Sequence, residues 1–310
     1  MKLEDIQLPK KELINAKDFD KEKWRKENPM DYLKAARILT MSKEPAVTDE
    51  IFKTIFQIAQ LHIPDTLYKY YSLTDNTEKN EKKFNTLLQK KVFLSEVKDF
   101  NDPFDCKAFY YNSDVLSKHD RLKHCNGRVI DDFSSMQRVA SLTECGVQSM
   151  PMWAHYANNH EGFCVAYDMN DCYNHTMKSC TFPVQYTDQR VDITSVMDSF
   201  VSAALHELEV QQLAGNKTIV IDDLSVIYIP ILLCNIKHNS WSYEKEYRCP
   251  TAANAEGIPF IDAKAKEIYI GIRCNDENRK RLQVIGKTLE IPVHEMGFDE
   301  ISAEYRLCVQ

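Results

Sequence analysis

The stretch MPMWAHYANNHEGFCVAYD, residues 150–168, contains both periodicities on which the fold turns. Over Met150–Asn158 the apolar spacing predicts a helix, and the short apolar and aromatic run Gly162–Asp168 predicts a strand. Working upstream, RVASLT (Arg138–Thr143), KVFLSE (Lys91–Glu96) and LYKYYSL (Leu67–Leu73) read as further strands, with a charged helix over Thr77–Lys90. Downstream, Thr181–Tyr186 reads as a strand and Val191–Leu213 as a long helix. Asp222–Ile236 reads as a helix, or as one broken at Pro230. Tyr243–Cys249, Glu267–Ile272 and Ile291–Met296 are strand-like, a helix over Glu277–Leu289 separates the last two, and a strand over Glu304–Val309 ends the order. Helices and strands are interspersed without strict alternation, so the expected fold is α+β: one mixed, mainly antiparallel twisted sheet with flanking helices.

Ahead of this core, residues 64–310, stands a front end of different character. The first thirty residues are polar and lysine-rich and read as an arm or tail. Met30–Met41 and Glu50–His62 carry apolar residues at three- and four-residue spacing and read as amphipathic helices, the second with Thr48 and Asp49 as capping candidates. Residues 1–63 are therefore expected to form a tail and helical extension.

Composition narrows the function classes. The 310 residues are 44% hydrophobic and 27% charged, the balance of a folded globular chain, which excludes disorder and low complexity for its bulk. A formal net charge of −7 argues against gripping nucleic acid by overall charge. The Lys79, Lys82, Lys83, Lys90, Lys91 cluster is the candidate local basic patch, with a solvated helix face as its plainer reading. The ten cysteines show no CxxC pair and no regular spacing, and the N-terminus has no apolar signal region. Reduced thiols, no membrane span and a cytoplasmic location are the expectations.

Polar groups crowd into four aromatic segments. These are Tyr68-Lys69-Tyr70-Tyr71, then Phe100-Asn101-Asp102-Pro103-Phe104-Asp105, then Met152-Trp153-Ala154-His155-Tyr156 with His160 and Gly162. The fourth is Lys237, Trp241 and Glu244-Lys245-Glu246-Tyr247-Arg248. Stacking surface beside a few ionisable groups is what a pocket for a planar, charged ligand requires. Each segment also has a plainer reading: core aromatics, and a turn in which Asp102 and Asp105 cap backbone amides. His155 and His160 are not at the i, i+4 spacing of a helical zinc site, and no metal site is expected there. Continued as a strand, the fourth segment places Ser242, Glu244, Glu246 and Arg248 on one face, with carboxylates about 7 Å apart, and Trp241, Tyr243, Lys245 and Tyr247 on the other.

Together the segments resemble the domain of unknown function 2971 family, found widely in bacteria and often near phage-defence genes. YKYYSL, VFLSEVKDFNDPFDC, SLTE, MWAHYANNHEGFCVAYD, KHNSWSYEKEYR and EIYIGIRC carry the resemblance, over about Leu67–Met296. A more distant similarity links Glu244-Lys245-Glu246 to the Glu-x-Glu signature of ADP-ribosyltransferases. Lys69 stands where that superfamily places His or Arg, and Ser141-Leu142-Thr143 stands for its middle strand. The similarity implies an ADP-ribosyltransferase or NAD glycohydrolase, such as a bacterial toxin or phage-defence effector, with NAD as substrate. Glu246 and Glu244 are its expected catalytic groups. Lys69, Tyr70, Asn101, Asp102, Trp153, His155, Tyr156 and Arg248 are the expected NAD-binding set, with Lys69 or Arg248 on the pyrophosphate. The acceptor is a protein, a nucleic acid or water. A second reading gathers Asn101, Asp102, Asp105, His155, His160 and Glu246 around a divalent cation for phosphodiester hydrolysis. A third is a non-catalytic nucleotide-binding sensor.

Overall fold

The computed structural model describes residues 19–40, 45–129, 137–216, 225–252 and 259–310. Tail residues 1–18, the expected helix end at Met41 and the expected helix start at Asp222 lie outside the described residues.

The strands in chain order are β1 (Thr66–Tyr71), β2 (Lys91–Phe93), β3 (Ser95–Glu96), β4 (Phe109–Tyr110), β5 (Gln137–Thr143) and β6 (Phe163–Asp168). They continue with β7 (Phe182–Pro183), β8 (Gln185–Thr187), β9 (Val191–Asp192), β10 (Ile236–His238) and β11 (Glu246–Ala252). β12 (Phe260–Asp262), β13 (Ala265–Ile270), β14 (Val293–Phe298) and β15 (Leu307–Val309) complete the set. The main sheet runs β15-β14-β13-β6-β1-β5-β11-β7, with β3 added alongside β5. Every pairing in it is antiparallel except β13 with β14, which are joined by helix Asp276–Leu289, long enough to return the chain in parallel. Among the described residues, three two-stranded ribbons, β10-β8, β12-β2 and β4-β9, stand apart from it. The protein is an α+β fold on a mixed, mostly antiparallel sheet.

β6 lies deep in this sheet and is buried on both faces from Phe163 to Tyr167, which is why its sequence shows an unbroken apolar run. Phe163, Val165 and Tyr167 join one apolar layer with Leu67, Leu142 and Tyr247, under helices Thr77–Leu88 and Asp276–Leu289. Cys164 and Ala166 face a smaller cluster with Tyr70, Trp153 and Tyr269. Both glycines flanking this region are required by close approach. A Cβ on Gly162 would stand 2.0 Å from the Tyr71 carbonyl, and one on Gly271 would stand 2.2 Å from the His160 carbonyl. Between helix and strand, Asn158, Asn159 and His160 all take positive φ, a conformation that asparagine tolerates better than most side chains.

Several expected elements resolve differently. Lys21–Glu27, inside the expected tail, is a helix capped by Asp20. Helices Tyr32–Leu39 and Pro45–His62 share one apolar cluster with Phe182, Val196, Met197, Ile229 and Leu232, so packing runs across the 63/64 boundary. Lys91–Glu96 divides at Leu94 into β2 and β3, and Thr181–Tyr186 divides into β7 and β8, each piece pairing elsewhere. Val191–Asp192 is a strand, with the long helix beginning at Thr194, whose amide bonds the Asp192 carboxylate at 2.9 Å. Helix Ser225–Leu233 passes through Pro230. The Tyr243–Cys249 strand starts only at Glu246, because Asn239–Glu244 winds into a 3-10 helix that Lys245 ends in the left-handed region at φ 43°. The last strand shortens to Leu307–Val309.

Candidate functional site

β1 pairs with β6 over six residues but meets β5 at the single register point Tyr68↔Thr143. Past that point the two strands splay, and Lys69 Nζ donates to the Ser141 carbonyl at 3.2 Å across the gap. The splay opens a cavity of about 340 Å³, lined by Tyr68, Lys69, Tyr70, Asn101, His155 and Tyr156, with Lys237, Glu244 and Glu246 among the remaining lining residues.

One wall of this cavity is a buried ionic network. β11 projects Glu246 and Arg248 to the same face, opposite Thr143 and Ser141 of β5. Arg248, wholly buried, donates through Nε and Nη2 to Glu246 at 2.9 and 3.0 Å, to the Cys234 carbonyl at 2.6 Å and to Asp105. Lys237 Nζ, from β10, bridges Glu244 at 2.7 Å and Glu246 at 3.2 Å, and the second Glu244 oxygen accepts from Tyr156 Oη. The 3-10 turn is what brings Glu244 back over Glu246, so the two converge on one ammonium although they do not share a strand.

The two carboxylates are electrostatically unlike. Burial works against ionising Glu246, but the Arg248 guanidinium and the Lys237 ammonium outweigh it and hold its pKa at about 2. For Glu244, burial and the neighbouring Glu246 charge prevail over Lys237, and its pKa is raised. Asp105 is also raised, first by burial. Burial lowers the Lys69 pKa to about 8. Buried carboxylates held apart in protonation behaviour around one cavity are the arrangement acid–base chemistry uses.

Of the expected residues, the structure brings Glu244, Glu246, Lys69, Tyr70, Asn101, His155 and Tyr156 to this cavity. Tyr70 spends its hydroxyl on the Gly146 carbonyl at 2.5 Å. Three others do not line it. Arg248 lies behind Glu246 with its donors engaged as above and does not line the cavity. Trp153 is fully buried, its Nε1 on the Val147 carbonyl at 2.7 Å. Asp102 turns its carboxylate to the Phe104 amide at 2.9 Å, as the turn chemistry of Asn-Asp-Pro anticipates. Of the cation-binding set, Asn101, Asp105, His155 and Glu246 line the cavity, but His160 stacks on Trp153, Asp102 caps the Phe104 amide and Asp105 is paired with Arg248. Among the described residues, no group of three or more His, Cys, Asp or Glu is placed to hold a metal ion. Of the lysine cluster, Lys82 pairs with Glu78 and Lys83 reaches back to the Ser72 carbonyl.

Lys237 is the functional group that sequence reasoning placed in the fourth segment without assigning it a role. The available signal was a lysine directly after the apolar run that ends at Ile236, where a charge is costly unless paired.

Residues 152–249 match the model of the family described as "Protein of unknown function (DUF2971)". No curated protein and no solved structure matches the chain. The matched residues run from helix Met150–Tyr156 to β11 and supply His155, Tyr156, Lys237, Glu244, Glu246 and Arg248, while YKYYSL and FNDPFD lie outside them. Over residues 152–249, and with them over one whole wall of the cavity, the chain is similar to the DUF2971 family.

Proposed function

We propose that this cavity binds NAD and cleaves its nicotinamide–ribose bond, passing ADP-ribose to a macromolecular acceptor or to water. The observation that carries the reading is the pair of unlike carboxylates, Glu246 held ionised and Glu244 with a raised pKa, converging on one aromatic-lined cavity. As the C–N bond breaks, its electron pair leaves with nicotinamide and positive charge develops at the ribose. The ionised Glu246 stabilises that charge. An acceptor hydroxyl or amine, or water, supplies the electron pair for the new bond at the same carbon, and Glu244 takes its proton. Lys237 neutralises both carboxylates in the resting site. Its swing toward the phosphates of the ligand frees them to face the ribose, with Lys69 as a second cation. Such an enzyme draws on a cytoplasmic NAD pool and fits a toxin or defence effector. Among the described residues, no helix is long and apolar enough to cross a membrane.

The test is nicotinamide release from NAD by the purified chain, with and without chelator, and with cell lysate supplying acceptors. Release that ignores chelator and is lost in Glu246→Gln and Glu244→Gln variants that retain the parent circular dichroism supports the proposal. No release under any of these conditions overturns it. Chelator-sensitive phosphodiester hydrolysis would favour the metal-dependent reading in its place, and nucleotide binding without turnover would favour the sensor.

A further inference from the structure

The cavity is small for the ligand proposed. A volume of about 340 Å³ lies at the lower end of small-molecule sites, room for one nucleoside-sized moiety and not for two joined by a pyrophosphate. Whatever the buried half of a dinucleotide does, its other half must lie outside.

Beside the cavity stands a row of aromatic rings outside the buried apolar clusters. His155 lines the cavity and is itself exposed, and its ring centroid lies 6.2 Å from that of Tyr243. Tyr243 lies 6.2 Å from Trp241, and Lys237 Nζ sits 4.8 Å from the Trp241 ring centroid. The row is therefore tied to the cavity at both ends, through His155 and through Lys237. Tyr243 is 37% exposed. The 3-10 turn Asn239–Glu244 that positions Glu244 is the same turn that presents Trp241 and Tyr243, so ledge and carboxylate are set by one piece of backbone.

We infer that Trp241, Tyr243 and His155 form a stacking subsite for the second base of a dinucleotide, the adenine of NAD, whose nicotinamide end occupies the cavity. The inference rests on the NAD reading of the cavity and names where the other half of that ligand lies. Base–aromatic stacking gives affinity through the flat face alone, so rings without a fixed polar contact suffice. The pyrophosphate then spans the edge of the cavity beside Lys237, which faces Trp241 and both carboxylates.

The experiment compares NAD with nicotinamide mononucleotide, which has no adenosine half, by titration calorimetry on the full chain. Probing binding rather than turnover keeps the test independent of catalysis. Tyr243→Ala and Trp241→Ala are expected to weaken NAD binding about tenfold or more while leaving nicotinamide mononucleotide binding unchanged. Tyr243→Phe, which keeps the ring, is expected to bind NAD as the parent does. Equal effects on both ligands, or no effect on either, overturn the subsite while leaving the cavity reading intact. Unchanged NAD affinity with reduced labelling of lysate acceptors overturns it too, and gives the ledge to the acceptor. Failure of the parent chain to bind either nucleotide overturns the NAD reading and this inference with it.

Discussion

Replacing Arg248 by methionine removes the guanidinium from the centre of the ionic network while keeping much of the side chain's bulk. The residue is wholly buried, and its loss strands the two carboxylates of Glu246 and Asp105 with only Lys237 between them. It also frees the Cys234 carbonyl, which now accepts at 2.6 Å. Breaking a buried ion pair from one side costs about 3–5 kcal/mol, because a charge is left uncompensated in a poor solvent. A total stability of about 5–15 kcal/mol makes that a large fraction. We expect Arg248→Met to lose about 4 kcal/mol at pH 7, read from urea unfolding as a lower midpoint at unchanged slope. Arg248→Lys should recover only part, since one ammonium cannot grip Glu246, Asp105 and the carbonyl in the fork that guanidinium provides. The pH dependence supplies an independent check. Glu246 has its pKa depressed from 4.5 to about 2 on folding, so its contribution is present above 4.5 and is lost as pH falls toward 2. The gap between parent and variant should narrow over that window. A loss below about 1 kcal/mol at pH 7 would refute the reasoning, and a gap that ignores pH would reduce Arg248 to a packing residue.

Two further outcomes follow from the same geometry. Tyr156→Phe removes a donor that lowers the Glu244 pKa, so the rising limb of nicotinamide release against pH should move to higher pH, with kcat falling below it; an unmoved limb would separate Glu244 from the proton transfer. His62, buried beside Trp24 at 5.2 Å, has its pKa lowered from 6.5 to about 4 by burial and by the Arg25 charge. Stability is therefore whole above pH 6.5 and falls as pH drops toward 4, by about 3 kcal/mol at most, and His62→Phe should flatten this stretch of the urea-midpoint profile.

The α+β class and most elements are legible because their causes are local. Phe163–Asp168 reads as a buried strand from its apolar run, Asp276–Leu289 as a helix from its period, and Asp102 as a turn residue from the proline that follows it. Tyr243–Cys249 misleads for an equally physical reason. Alternating aromatic and charged residues satisfy the strand pattern, yet the local hydrogen bond from the Ser240 amide to His238 Nδ1 and the left-handed Lys245 turn the first half into a 3-10 helix. Glu244 and Glu246 meet all the same, by a different route.

Residue types that favour chemistry, and the segments that hold them, follow from the chain alone, because polarity and spacing are properties of a string. Which of them meet does not. Arg248 and Trp153 carry the marks of ligand contacts in sequence, and only the tertiary structure sets them behind the cavity wall, where burial obliges each polar atom to find a partner within the protein. Lys237 gains its role the other way. Its place after an apolar run says only that its charge needs a partner; the pairing of β10 with β8 and the turn after it deliver its ammonium to two carboxylates, and a charge that deep persists only where opposite charges are already in place.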